Sequence, residues 1–300
     1  MATHVKTAAL NELRGYAFVL VSAAIFSTLG VLARMIYRYE ADPLTVVTFR
    51  ASVAAGLLFL GLLLFRPALL KIRPRHLPFF AVSGFFGVAC NYSCFLYAVK
   101  YTTIATAVSI LYTYPALVAL ASVVVFREPL TRAKLVSLLV TFSGVLLVVQ
   151  CYDPRFLNLN FEGMLFSFGT SLALALYTLF GKKAVAAYDA WTVVFYSISF
   201  GALFLVVFRT PQALWRVSYP APAWGWMLLI ALLPTVLGYA SYTRSFHYLE
   251  ASKASIAASA EVALAPLFAD LFLHEHVRWP QICGAGLIFG GIVLLKQDKG

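Results

Sequence analysis

Glu261 stands about ten residues into the apolar run 252–273, the depth of a bilayer midplane. A carboxylate there is expensive, roughly 2.5–3.5 kcal/mol on insertion scales, and normally faces a polar cavity. Its functional chemistry would be to hold a proton, a cation or a substrate amino group. Its structural alternatives are an ion pair with Arg50 or a hydrogen bond to a neighbouring tyrosine. Arg50 lies eight residues into the run 43–65. A guanidinium at that depth binds a carboxylate bidentately or holds a structural ion pair.

A polar and aromatic set accompanies these charges. Ser27, Asn91, Tyr92, Tyr112, Tyr114, Tyr177, Tyr239 and Ser259 fall well inside apolar runs. A buried hydroxyl needs a partner, so they line a polar path or bond between helices. Pro115, Pro234 and Pro266 interrupt apolar runs. Each removes a backbone donor and frees a carbonyl. Such breaks line a cavity, allow bending, or leave a static kink.

Other polar residues read as structural. Arg244 lies near a helix end, where snorkelling accounts for it. Asp270 and His274 are spaced i, i+4 and suit a local helix-end pair. Glu128 and Glu275 end their helices, where a negative charge is unfavourable, so each is expected to bond the next helix. Trp191, Trp215, Trp224, Trp226 and Trp279 sit at run ends or in loops, as an aromatic belt does. Cys90, Cys94, Cys151 and Cys283 include no CxxC pair, which leaves zinc and thioredoxin chemistry unsupported. Gly284, Gly286, Gly290 and Gly291 follow no strand, so they suit close helix packing rather than a dinucleotide loop. With Ser137, Ser143 and Gly144 they point to packing or dimerisation through the fifth and tenth helices. Asn91-Tyr92-Ser93 matches a glycosylation pattern but lies within a helix. No cofactor or metal is expected.

The elements that position these residues follow from composition. Apolar residues make up 62% of the chain and charged residues 12%, with mean hydropathy +0.86. Soluble proteins are about 45–50% apolar and about 25% charged. No loop exceeds about a dozen residues, so no soluble catalytic domain fits. Ten runs reach membrane length: 16–37, 43–65, 77–99, 103–126, 133–150, 162–181, 190–208, 223–246, 252–273 and 279–295. They are continuous rather than alternating, hence helices and not barrel strands. Residues 1–15 are a polar N-terminal segment, and 16–37 is too long for a signal-peptide core. The net charge of +11 sits at run ends, which favours positive-inside topology over nucleic-acid binding. With the N-terminus inside, fourteen Lys and Arg residues fall on the cytoplasmic side and seven opposite. Both termini are thus expected in the cytoplasm, with the chain multi-pass in the cell inner (plasma) membrane.

The chain also repeats itself at an offset of 147–148 residues. Thr45-Val46-Val47 recurs as Thr192-Val193-Val194, Tyr92 as Tyr239, and Glu128 as Glu275. Ser143-Gly144-Val145-Leu146-Leu147 resembles Gly290-Gly291-Ile292-Val293-Leu294. Each copy, 16–150 and 162–297 with 151–161 as the loop between, holds five helices. An odd number makes the second copy enter from the opposite side. The fold class is therefore an all-α polytopic membrane protein of ten transmembrane helices in two inverted five-helix repeats, an arrangement that places a site near the midplane between the halves.

These residues resemble a family. Tyr112-Thr113-Tyr114-Pro115 running to Arg127-Glu128-Pro129-Leu130, and Glu261-Val262 running to His274-Glu275-His276-Val277, look like paired EamA-type domains of the drug/metabolite transporter superfamily. Arg50 resembles the arginine of the family's second helix. The first half has Pro115 opposite Val262, whereas Pro266 lies four residues later. The resemblance implies that helices 1, 3, 4, 6, 8 and 9 surround a central cavity. It also implies export of amino acids or other metabolites, or translocation of sugar-phosphates and nucleotide sugars. The expectation is a secondary transporter exporting small zwitterionic metabolites, amino acids with apolar or aromatic side chains foremost. Arg50 and Glu261 would match a carboxylate and an amine. Anionic metabolites are the first alternative; a membrane-embedded enzyme or a non-transporting receptor come after. The expected partners are the small-molecule substrate and the bilayer, with no nucleic acid, in a monomer or homodimer.

Overall fold

A computed structural model describes residues 2–208 and 219–298, with side chains over 10–207 and 219–298. Met1, Arg209, Trp215, Arg216, Lys299 and Gly300 lie outside the described residues, as does the Lys6 side chain.

Nine helices among the described residues are long and apolar enough to cross a membrane. They are α1 Leu10–Tyr37, α2 Pro43–Phe65, α3 Pro74–Tyr101, α4 Ile104–Val125, α6 Phe161–Ala184, α7 Ala190–Val207, α8 Ala221–Ser245, α9 Ala251–Leu273 and α10 Trp279–Lys296. The helix between α4 and α6, α5 Arg132–Val148, has 17 residues and completes the ten. In the bilayer every backbone polar group must be satisfied within its segment, which explains the helices. Their starts are marked by side chains that accept orphan N–H groups. Asp42 accepts from Thr45 N–H with Pro43 in the first turn, Thr103 caps α4, Thr131 caps α5, and Asn160 caps α6.

The helices pack as two related sets. α2 lies on α7, α4 on α9, and α5 on α10. The contact of α3 with α6 is mirrored by that of α8 with α1, and α4 with α6 by α9 with α1. Each of these contacts thus has its counterpart under exchange of the halves. The α5–α10 contact is close because glycines form it. A Cβ on Gly144 would lie 2.6 Å from the Gly284 carbonyl oxygen and 2.8 Å from Ile288. Gly144, Gly284 and Gly291 therefore serve packing within the chain, whereas Gly286 and Gly290 meet nothing within 4 Å.

Three irregularities recur or differ between the halves. α4 breaks at Tyr112-Thr113, between Ile104–Leu111 and Tyr114–Val125. α9 breaks at Ser259, between Ala251–Ala258 and Ala260–Leu273, and Ser259 is 147 residues after Tyr112. α3 and α8 each contain a wider π turn, Phe85–Cys90 and Ala231–Gly238, at the same repeat spacing. Pro115 falls just after the α4 break and Pro234 within the α8 π turn. Pro266 does not interrupt α9; it sits inside Ala260–Leu273, where it removes only one helical N–H donor. α1 breaks at Thr28, with no counterpart in α6.

One sequence reading changes here, and another gains a partner. Asp270 pairs with His276 at 3.8 Å, not with His274. His274 takes a left-handed φ of 56° and turns the chain out of the helix. Arg244 does reach a helix end, in an ion pair with Asp189 at 2.9 Å.

Candidate functional site

The π turn of α3 is followed directly by Asn91 and Tyr92, and that of α8 by Tyr239 and Tyr242. A π turn adds a residue to the local repeat, which re-aims the side chains after it and often marks functional positions. Tyr92 points at Arg50. The guanidinium Nη2 donates to the Tyr92 hydroxyl at 2.8 Å, and Nε donates to Thr235 Oγ1 at 3.0 Å. Thr235 in turn donates to the Ile230 carbonyl freed in the π turn, at 2.9 Å. The Tyr92 hydroxyl also lies near that of Tyr239. Tyr239 meets Tyr177 edge to face at 5.1 Å, and Phe26 likewise at 5.1 Å. Tyr177 is fully buried and bonds Thr243 at 3.0 Å. Its ring lies so close to α3 that a Cβ on Gly87 would be 2.5 Å from it.

A second group surrounds Glu261. The α9 break places Glu261 in the first turn of its second segment, and the α4 break does the same for Tyr114. The two positions are related by the repeat, 147 residues apart. The Glu261 carboxyl, partly buried, lies beside the Tyr112 hydroxyl. Tyr112 and Tyr114 rings lie 5.9 Å apart. The Tyr114 hydroxyl donates to the Ser255 carbonyl at 3.2 Å and lies near that of Tyr242. Tyr242 bonds Thr178 at 3.1 Å.

The arrangement separates the charges expected to be considered together. Among the described residues no ion pair joins Arg50 to Glu261. Arg50 is held by neutral oxygens of both halves, and the carboxyl lies beside a phenol. Ser27 donates to the Ala24 carbonyl at 2.7 Å and Asn91 to the Gly87 carbonyl at 3.4 Å, so both serve their own helices. Ser259 is buried at the α9 break. Sequence reasoning passed over Thr235, Tyr242, Thr243 and Thr178. The spacing of Tyr239, Tyr242 and Thr243 on one helix face was the available signal. Among the described residues no group of three or more His, Cys, Asp or Glu side chains is placed to hold a metal ion.

Glu128 and Glu275 also differ from expectation. Neither bonds the next helix. Glu128 accepts from Ala251 N–H at 2.8 Å, Ser252 N–H at 3.2 Å and Ser252 Oγ at 2.6 Å, at the start of α9 in the other half. Glu275 is exposed and pairs with Arg34 of α1. Each carboxylate follows a residue with left-handed φ, Arg127 or His274, which ends its helix and swings the glutamate back across the bundle.

Known proteins carry the same pattern. The model of the EamA-like transporter family matches residues 13–150 and again 161–296. An uncharacterized transporter of Archaeoglobus fulgidus is 23% identical, covering 86% of this chain and 90% of its own. The uncharacterized inner membrane transporter YicL of Salmonella typhimurium is 23% identical, covering 95% and 96%. A solved structure titled only "Crystal structure of protein" superposes with TM-score 0.79 over 93% of this chain and 95% of that one, at 14% identity. That likeness concerns the fold alone.

Proposed function

The chain belongs to the EamA-like transporter family, and from that membership we propose a secondary transporter exporting small zwitterionic metabolites. Amino acids with apolar or aromatic side chains are the substrate class. Access alternates around a midplane site, and both termini lie in the cytoplasm. The observation that carries this reading is Glu261 beside Tyr112 at the α9 break, opposite its repeat counterpart Tyr114. A carboxylate at that depth, met by a phenol and not by a cation, suits a substrate ammonium. The broken helix gives the site polar backbone where an unbroken helix has none to offer. The rings of Tyr112, Tyr114, Tyr177, Tyr239 and Tyr242 supply apolar faces for a side chain. Arg50 completes the reading with the Nη1 end of its fork, which a substrate carboxylate can engage.

The anionic-metabolite reading is weaker. It needs positive charge free to meet phosphate, and two arms of the Arg50 guanidinium are already engaged by Tyr92 and Thr235. Flux into proteoliposomes from a mixed metabolite panel, with and without a pH gradient, tests the proposal. Uptake of apolar or aromatic amino acids supports it. Selective uptake of phosphorylated compounds, with amino acids inert, sinks it.

A further inference from the structure

The two repeats place their glutamates alike but satisfy them differently. Glu128 and Glu275 are 147 residues apart, and so are Ile104 and Ala251, the first residues of α4 and α9. Arg127 and His274, at the same spacing, have φ of 58° and 56°. The turn that delivers each carboxylate is thus the same in both copies. Glu128 is buried, with 7% exposure, against the first two N–H groups of α9. The side chain of Glu250, the cap residue of α9, makes no bond to these groups. Glu128 is therefore the cap of a helix in the opposite half. At the other end, Glu275 is half exposed and turned to Arg34. α4 is capped by its own Thr103, whose hydroxyl also reaches the Phe156 carbonyl.

We propose that Glu128 and Glu275 are alternate latches of the transport cycle: Glu128 closes the Ala251 end by capping α9 in this state, and Glu275 closes the Ile104 end by capping α4 in the opposite one. The inference rests on the transporter reading. An inverted repeat alternates between two states in which the halves exchange conformations. The exchange carries the two backbone bonds of Glu128 onto their counterparts, so the predicted donors of the second state are the N–H groups of Ile104 and Ala105. Both bonds cannot be made together if one end must open. A carboxylate on two helix N-terminal amides is strong enough to bias such an equilibrium and local enough to release. The neighbouring ion pair Lys134–Glu250, at 2.5 Å, also joins the halves at the latched end. Its counterpart at position 281 is the neutral Gln281, so the glutamates are the device that both ends share.

The test uses the full chain with Cys90, Cys94, Cys151 and Cys283 replaced by serine and a single reporter, Ala258→Cys, just before the α9 break. A membrane-impermeant maleimide is applied to each side of oriented vesicles. Glu128→Gln weakens the present state, so labelling from the Ala251 side should rise about fivefold relative to the Ile104 side, as loss of one helix cap would shift a two-state population. Glu275→Gln weakens the opposite state, so the same ratio should fall. Loss of the exposed Arg34 pair contributes little. Ratios that stay unchanged, or move in the same direction in both variants, overturn the proposal. Should Glu128→Gln fail to insert, Glu275→Gln decides alone, because its side chain is exposed; an unchanged or raised ratio there overturns the latch. The assay needs no substrate. A shifted ratio without amino-acid flux keeps the latch and removes the substrate reading.

Discussion

The Arg50 guanidinium lies over the ring of Tyr92, its central carbon 4.2 Å from the ring centroid, and donates to the same residue's hydroxyl. Its other arm reaches Thr235, so one cation joins α2, α3 and α8 across the two halves. Glu261 is left to its tyrosine neighbours.

Arg50→Lys keeps the charge but loses the planar fork that stacks and bonds in two directions. Loss of a buried, charge-assisted hydrogen bond should lower stability by about 2 kcal/mol, read as a lower Tm in detergent. A Tm equal to the parent's would mean that Arg50 is not anchored by Tyr92 and Thr235.

Gly144→Ala and Gly284→Ala should each destabilise the α5–α10 contact by about 1–3 kcal/mol, since the added methyl group meets backbone rather than a yielding side chain. Gly286→Ala and Gly290→Ala face open space and should leave Tm unchanged. Thermal unfolding of the four variants separates the two faces of α10.

Tyr112→Phe retains the ring packed near Tyr114 and deletes the hydroxyl that meets Glu261. Losing a polar neighbour of a charged group costs about 1.5–3 kcal/mol, so KM for the transported substrate should rise about tenfold, with a fall in Tm no larger than that of Tyr114→Phe. Tyr114→Phe, whose hydroxyl goes to a backbone carbonyl, should alter flux less. Kinetics of substrate uptake by both variants check the order.

Reporter fusions at the two termini should report the same compartment, the cytoplasm. An even number of spans and the fourteen-to-seven basic bias require it. Opposite compartments would mean that one span, α5 being the shortest, does not cross.

The spans, the repeat and the depth of Glu261 were legible because each rests on local chemistry: apolar run length, a constant offset, and the penalty on a midplane carboxylate. The partners were not. Glu128 caps a helix that begins 123 residues later, and only the packing of the halves brings them together. The π turns at Phe85–Cys90 and Ala231–Gly238 have no composition of their own, although Pro234 hints at the second. Pro266 misled in the other direction. The α9 break falls at Ser259, where Tyr112 of the first copy has its own, so the break follows the repeat and not the proline. Arg50 and Glu261 invited pairing by opposite charge, but both were within reach of tyrosines on intervening helices.

Flux through Glu261→Gln is the most direct test of the central claim. The variant keeps the shape of the side chain, and among the described residues no ion-pair partner is stranded by removing its charge. It should insert and melt like the parent in proteoliposomes while losing amino-acid flux or the pH dependence of that flux. Parental flux at every pH in a correctly inserted Glu261→Gln protein would contradict the account.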